Sequence, residues 1–294
     1  MSDPAKALRD FQPEHKFFIG IDSDGCAFDS MEIKQKECFC PNFIKHYDLQ
    51  PVSKIARETW EFVNLYSKTR GVNRFRAVLT ALDLLRVRPE VKARGVAVPE
   101  MDGLRGWVER ENKLGNPALE NELQRNPDPD LRKAYEWSLA VNAAIEDLVR
   151  NLPPFASLRK NLEKIKDRAD VIVVSQTPLE ALQREWHEHE IDTFVRIIAG
   201  QEMGKKSEHI AITAGGNYPE NRILMIGDAP GDLEAAEDNG ALFYPINPGH
   251  EEESWDRFYD EAADKFFSES YAGPYAESLL KEFHEYLPEK PDWE

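Results

Sequence analysis

Asp22-Ser23-Asp24-Gly25 follows directly on the apolar run Phe17-Phe18-Ile19-Gly20-Ile21. Two carboxylates two positions apart at the end of a buried segment repel each other and lose solvation, so a fold rarely places them there without a cation or a proton to share. Plain turn chemistry at Asp24-Gly25 is the alternative if this motif is taken alone. A second acidic cluster, Gly227-Asp228-Ala229-Pro230-Gly231-Asp232, ends the apolar run Ile223-Leu224-Met225-Ile226. Oxygen-only ligands of this kind suit Mg²⁺, which takes one or two carboxylates, keeps several waters and binds substrate phosphate. The pairing of two such clusters at like positions says more than either does.

A third apolar run, Val171-Ile172-Val173-Val174, ends in Ser175-Gln176-Thr177-Pro178. The Ser175 hydroxyl and free backbone N–H groups at a helix start there can bind phosphoryl oxygens, with an N-cap serine as the plain alternative. Between the second and third motifs lies Gly204-Lys205-Lys206-Ser207. A lysine among so many carboxylates offsets their charge and holds both a nucleophile and a transferring phosphoryl group. Spacing to His209-Ile210 in the following helix favours Lys206, with Lys205 left as the alternative and solvated surface lysines as the plain reading of both.

The elements that must position these residues are legible as well. The three runs are β-branched or aromatic, too short for helices and followed at once by polar or glycine residues, as strands buried on both faces of a parallel sheet are. Weaker runs at Val195–Ala199 and Ala241–Pro245 extend the sheet, and helices fit at Leu179–Glu190 and Leu233–Asn239. Alternation of strand and helix predicts an α/β, Rossmann-like, doubly wound parallel sheet, with ligands outside the carboxyl ends of its strands.

About 120 residues, Ser30 to Leu152, separate the first strand from the second, far more than one crossover needs. Helical periodicity at Ala56–Lys68, Arg74–Arg86 and Asp130–Arg150 predicts an inserted α-helical domain over 30–152, with 1–29 and 153–294 forming the core. The tail 248–294 reads as a helical extension, with stripes Trp255, Phe258, Tyr259, Ala262, Phe266 and Leu279, Leu280, Phe283, Leu287 packed on that core.

Composition narrows the classes. With 54 acidic against 37 basic residues in 294, the formal charge of -17 repels nucleic acid and anionic membrane. Cys26, Cys38 and Cys40 lack a zinc spacing or an even count for a disulfide framework and read as reduced, mostly buried thiols. The N-terminal segment carries no apolar h-region and no stretch reaches spanning length, so the expectation is a cytoplasmic protein, as a monomer or homodimer.

The four motifs in this order resemble the haloacid dehalogenase superfamily: a strand then Asp-x-Asp-Gly, a strand then Ser/Thr, a lysine, and a strand then Gly-Asp-x-x-x-Asp. The Phe28-Asp29-Ser30 continuation and the early insertion are similar to the branch that includes phosphoglycolate phosphatase and β-phosphoglucomutase. The resemblance covers residues 15 to 29 and about 153 to 247. It implies that Asp22 attacks phosphorus and that Asp24 protonates the leaving oxygen and then activates water. Ser175 and the backbone of Gln176 would hold phosphoryl oxygens, and Lys206 would bridge them to Asp22. Mg²⁺ would sit on Asp22, the backbone carbonyl of Asp24, and Asp228, with Asp232 in or behind that set. A carboxylate at Asp24 argues against dehalogenation.

The insertion is larger than the compact helical cap of that branch, and the tail runs past the usual core. In the insertion, the densest basic stretch is Asn64 to Arg76, where Gly71 can end one helix and Asn73 begin the next. Arg70 and Arg74 around that turn are candidate contacts to a second anionic or hydroxyl-rich part of the substrate, against a solvated helix junction. The expected activity is Mg²⁺-dependent hydrolysis of a small phosphorylated metabolite. Alternatives are a phosphomutase acting on a sugar phosphate and a catalytically silent binding protein of the same fold.

Overall fold

The structure is a computed structural model that describes residues 3–293. The chain divides into two compact units, Met1–Ser30 with Leu152–Pro288, and Met31–Asn151 with Glu289–Glu294.

The first unit is built on strands β1 (Phe17–Ile21), β2 (Ala169–Val174), β3 (Ile197–Ala199), β4 (Ile223–Gly227) and β5 (Leu242–Pro245). They pair in parallel in the order β3-β2-β1-β4-β5, with β1 central. Successive side chains of a strand point to opposite faces. Phe18, Ile172, Val174 and Met225 therefore join one apolar layer, and Ile19, Ile21, Val171, Val173, Leu224 and Ile226 join another. Helices Leu158–Ile165, Leu179–Glu188, Lys206–Thr213 and Pro230–Glu237 lead into or connect these strands. This is the α/β architecture expected, with differences at element ends, of which two have a clear local cause. β3 starts at Ile197 rather than Val195, after a 3₁₀ turn over Asp192–Phe194. The last connecting helix starts at Pro230 rather than Leu233, because proline is pre-organised for a first turn and the Asp232 carboxylate accepts from backbone N–H groups just ahead of it.

The tail forms the two expected helical stripes, the first of them bent. Helix Glu251–Arg257 passes through a π-helical turn, Phe258–Ala262, into Ala263–Phe267, and a second helix runs over Pro274–Tyr286. Trp255, Phe258, Ala262 and Phe266 are fully buried, whereas Tyr259 is exposed.

The second unit is helical, including Ser53–Asn64, Arg74–Val87, Asp102–Arg110 and Pro129–Leu148. Its core gathers Trp60, Trp107 and Trp137 with Phe39, Phe43, Tyr47 and Phe75. Asn73 caps the Arg74 helix through Phe75 N, and Asp128 caps the Pro129 helix through Asp130 N and Leu131 N. The first of these helices ends at Asn64, short of the Lys68 expected. Ser67 and Thr69 hydroxyls donate to Val63 O, and Arg70 donates to Leu65 O at 3.0 Å, so side chains take the last carbonyls in place of a further turn.

The two arginines expected at the basic turn are both tied into the helical unit. Arg70 is buried, with its guanidinium on Leu65 O. Arg74 donates to Ser138 O, Ser138 Oγ and Asn142 Oδ1 and lies 5.0 Å from the Phe39 ring centroid. Burial lowers the Arg74 pKa to about 10. Both guanidinium groups hold the helical unit together. Trp293 lies 4.4 Å from the Arg88 guanidinium and 5.4 Å from the Phe62 ring, within the helical unit. Among the described residues, no helix is long and apolar enough to cross a membrane.

Candidate active site

The sheet order changes direction at β1 and β4: from β1 the chain adds β2 and β3 on one side, and it then adds β4 and β5 on the other. Ligands of open α/β sheets bind outside the carboxyl ends of strands at such a switch point. Asp22 follows the last residue of β1 and Asp228 follows the last residue of β4, and Asp22 N donates to Ile226 O at 3.0 Å. Two acidic motifs distant in sequence are thereby brought side by side.

Asp22, Asp228 and Asp232 each offer an oxygen, and the three atoms lie within 4.8 Å of one another, all in buried residues. The Lys206 ammonium sits among them, 2.8 Å from Asp22 Oδ2 and 2.6 Å from Asp232 Oδ1. Lys205 instead occupies the N-cap of the Lys206–Thr213 helix and is exposed, so Lys206 is the lysine that reaches the carboxylates. Asp232 is committed on both sides: its Oδ2 accepts from Asp228 N at 3.2 Å and Ala229 N at 3.1 Å. Its side chain folds over Gly227, where an added Cβ would lie 2.4 Å from Asp232 Cβ. Glycine before Asp228 is thus a steric requirement of this acidic turn.

Burial drives the Asp22 pKa well above the ordinary carboxylate range, with repulsion from Asp232 and Asp228 adding to it against the pull of Lys206. Burial by itself would lower the Lys206 pKa, yet Asp22 and Asp232 hold it above its ordinary range. Three buried carboxylates this close repel one another, and a divalent cation shared among them relieves that repulsion. The donors are all oxygen, so the residues present fit a hard divalent ion.

The Asp24 carboxylate is held apart from that group. It accepts the Ser30 hydroxyl on Oδ1 and the Thr177 hydroxyl on Oδ2, the latter at 2.7 Å. Thr177 comes from the turn after β2. Ser175, buried at the end of β2, is not an N-cap, since the following helix is preceded by Pro178. Its hydroxyl accepts from Thr177 N at 3.1 Å and shapes that turn. Gln176 Nε2 donates to Gly204 O at 2.9 Å, tying this turn to the loop that precedes Lys206. The structure therefore gathers Asp22, Lys206, Asp228 and Asp232 into one cluster and links Asp24, Ser175 and Gln176 through the neighbouring turn. Arg70 and Arg74 belong to the helical unit described above.

Sequence reasoning missed four residues that hold these groups. Ser30 and Thr177 grip Asp24, Trp186 Nε1 donates to Ser23 Oγ at 3.0 Å, and Trp255 Nε1 donates to Cys26 O at 2.8 Å. A hydroxyl directly beside each motif was the one signal available for the first pair.

No protein-family model and no curated protein matches the sequence. Solved structures do resemble the chain, many of them hydrolases of the haloacid dehalogenase superfamily. One is a subfamily IA hydrolase of that superfamily from Geobacter sulfurreducens, 16% identical, with a TM-score of 0.41 over 80% of this chain and 89% of that one. Another is a haloacid dehalogenase-like hydrolase from Streptococcus pneumoniae, 14% identical, with a TM-score of 0.44 over 81% and 90%. A third, described as a predicted phosphoglycolate phosphatase from Haemophilus somnus, is 14% identical with a TM-score of 0.39 over 80% and 86%. At such identities and scores these likenesses do not carry chemistry, which rests on the side chains.

Proposed function

We propose that this chain is a phosphoric monoester hydrolase acting through an aspartyl-phosphate on Asp22. The observation that carries the reading is the convergence of Asp22, Asp228 and Asp232 around Lys206 at the switch point of the sheet. Asp22 Oδ attacks phosphorus while the ester oxygen leaves, taking a proton from Asp24. Asp24 then accepts a proton from water, whose oxygen attacks the phosphorus of the aspartyl-phosphate, and inorganic phosphate leaves with Asp22 restored. Lys206, the Ser175 hydroxyl and the Gln176 backbone steady the phosphoryl oxygens.

Asp22, Asp228 and the Asp24 backbone carbonyl would hold Mg²⁺, with Asp232 behind them orienting Asp228 and Lys206. When bound, the ion neutralises charge on the phosphoryl oxygens. Substrate choice, for a small phosphorylated metabolite, is assigned in this proposal to the helical insertion, and the site of action to the cytoplasm.

The test is release of inorganic phosphate from a panel of phosphorylated metabolites with and without Mg²⁺. Mg²⁺-dependent release, lost in both Asp22→Asn and Asp24→Asn, supports the reading. Full activity in either variant, or isomerisation of a sugar phosphate without release, overturns it.

A further inference from the structure

The loop carrying Asp22 and Asp24 is closed by its own backbone and then held from outside. Gly25, at φ 78°, lets it turn. Ala27 N and Phe28 N both donate to Ser23 O, at 2.9 and 3.0 Å, and Gly25 N donates to Phe28 O at 2.8 Å. Ala27 O accepts from Phe155 N at 3.0 Å, where the chain returns from the insertion. Two polar atoms of the loop are then satisfied by indoles. Ser23 Oγ, on the residue between the two aspartates, accepts Trp186 Nε1 at a sequence separation of 163, and Cys26 O accepts Trp255 Nε1 at a separation of 229.

Both indoles are fully buried and both are anchored by what surrounds them. Trp186 lies on the helix that follows the Ser175 turn, and its ring meets Phe28 edge-on with centroids 6.0 Å apart. Trp255 lies on the tail helix Glu251–Arg257, and its own carbonyl accepts Asn161 Nδ2 at 2.8 Å. The same tail helix sends Glu252 to Ala156 N at 2.8 Å and Asp256 to Ser157 Oγ at 2.6 Å, at the start of the Leu158–Ile165 helix. Its position is therefore fixed by charge at a helix N-terminus as well as by apolar packing. The π-helical turn begins three residues after Trp255; such turns insert a residue and re-aim the side chains around them.

We infer that Trp186 and Trp255 are positioning residues for phosphoryl transfer, and that the C-terminal extension serves the reaction by holding the Asp22–Phe28 loop. The inference rests on the function proposed above. A buried carbonyl or hydroxyl that loses its partner is costly, so the loop relaxes when the indole N–H is removed. A small displacement of a nucleophile costs rate more than it costs binding.

The variant Trp255→Phe keeps an aromatic ring and removes the donor. Its kcat for phosphate release falls about 10- to 100-fold with KM within about twofold, since positioning rather than affinity is lost. Amide hydrogen exchange rises at Cys26–Phe28 and stays unchanged in the Leu158–Ile165 helix. Trp186→Phe gives the same signature and serves if the first variant does not fold. Wild-type kcat in either folded variant overturns the inference, as does exchange that rises evenly through the first unit, the mark of general destabilisation. The exchange measurement needs no turnover: a wild-type protein without phosphatase activity defeats the proposed function, whereas unchanged exchange at the loop defeats the clamp.

Discussion

Asp22, just after β1, and Asp170, in the adjacent β2, are both buried carboxylates, and their surroundings are opposite in kind. Asp170, paired in register with Phe18, lies toward the amino end of β2, whereas Asp22 lies just past the carboxyl end of β1. Asp170 Oδ2 accepts from Glu14 N at 2.9 Å, His15 N at 2.8 Å and Tyr218 Oη at 2.6 Å, and Oδ1 from Arg196 at 2.5 Å. Burial would raise its pKa, but these donors prevail and lower it from 3.8 to about 2. Asp22 has the Lys206 ammonium and the Ser23 N–H against burial and two competing carboxylates, and its pKa goes the other way. A buried acid surrounded by donors and far from other acids is a structural tie, whereas buried acids within reach of one another are placed to share a cation. Burial alone does not separate the two.

The sharpest way to break the comparison is to remove one acid from each place. Asp228→Asn should lower phosphate release on the order of 10³-fold while raising the stability of the metal-free protein by about 1 kcal/mol, because like charge leaves the cluster. Added Mg²⁺ should raise wild-type unfolding free energy by about 2.7 kcal/mol at a hundredfold excess over Kd, and that gain should vanish in Asp228→Asn. Urea titrations with Mg²⁺ or a chelator read both effects.

Asp170→Asn should do the reverse, costing about 3 kcal/mol in urea unfolding with kcat unchanged, since Arg196 and three other donors lose a charged acceptor. Its pH dependence sharpens the point. The folded pKa is depressed, so the stabilisation is fully present above the unfolded value of 3.8 and is lost as pH falls toward about 2. The difference between wild type and Asp170→Asn should therefore shrink by about 2 kcal/mol across that acid window. The smallest expected effect is at Asp24, where Ser30→Ala or Thr177→Val removes one hydroxyl donor and should lower kcat about tenfold, as loss of a hydrogen bond to a charged group does.

The sequence announces the sheet because β1, β2 and β4 are buried almost throughout, so each reads as a short apolar run of β-branched, aromatic or other apolar residues ended by polar ones. Motif residues are legible for a related reason: the carboxyl end of a buried strand is a poor place for charge, and Asp22, Asp24 and Asp228 stand out against it. Trp186 and Trp255 do not stand out, because an indole in an amphipathic stripe reads as apolar bulk and its N–H partner lies far along the chain. Arg70 and Arg74 are ambiguous for a different reason. A basic cluster in an acidic chain resembles a binding surface, yet the ends of helices also need donors for their last carbonyls, and Arg70 serves one. Nothing local in the sequence distinguishes those uses.

The central place of β1 bears on how the chain reaches its native state. Ile19 pairs with Val171 and with Leu224, so β1 lacks both of its sheet neighbours until the whole insertion and β2 have been made. At synthesis rates of about 5–20 residues per second, β1 waits many seconds as an unpaired apolar segment. The helical insertion, rich in local contacts, can fold during that interval and draw Ser30 and Leu152 together. It thereby shortens the effective loop that β1–β2 pairing must close, and a variant that slows folding of the insertion should prolong the time β1 is exposed to aggregation.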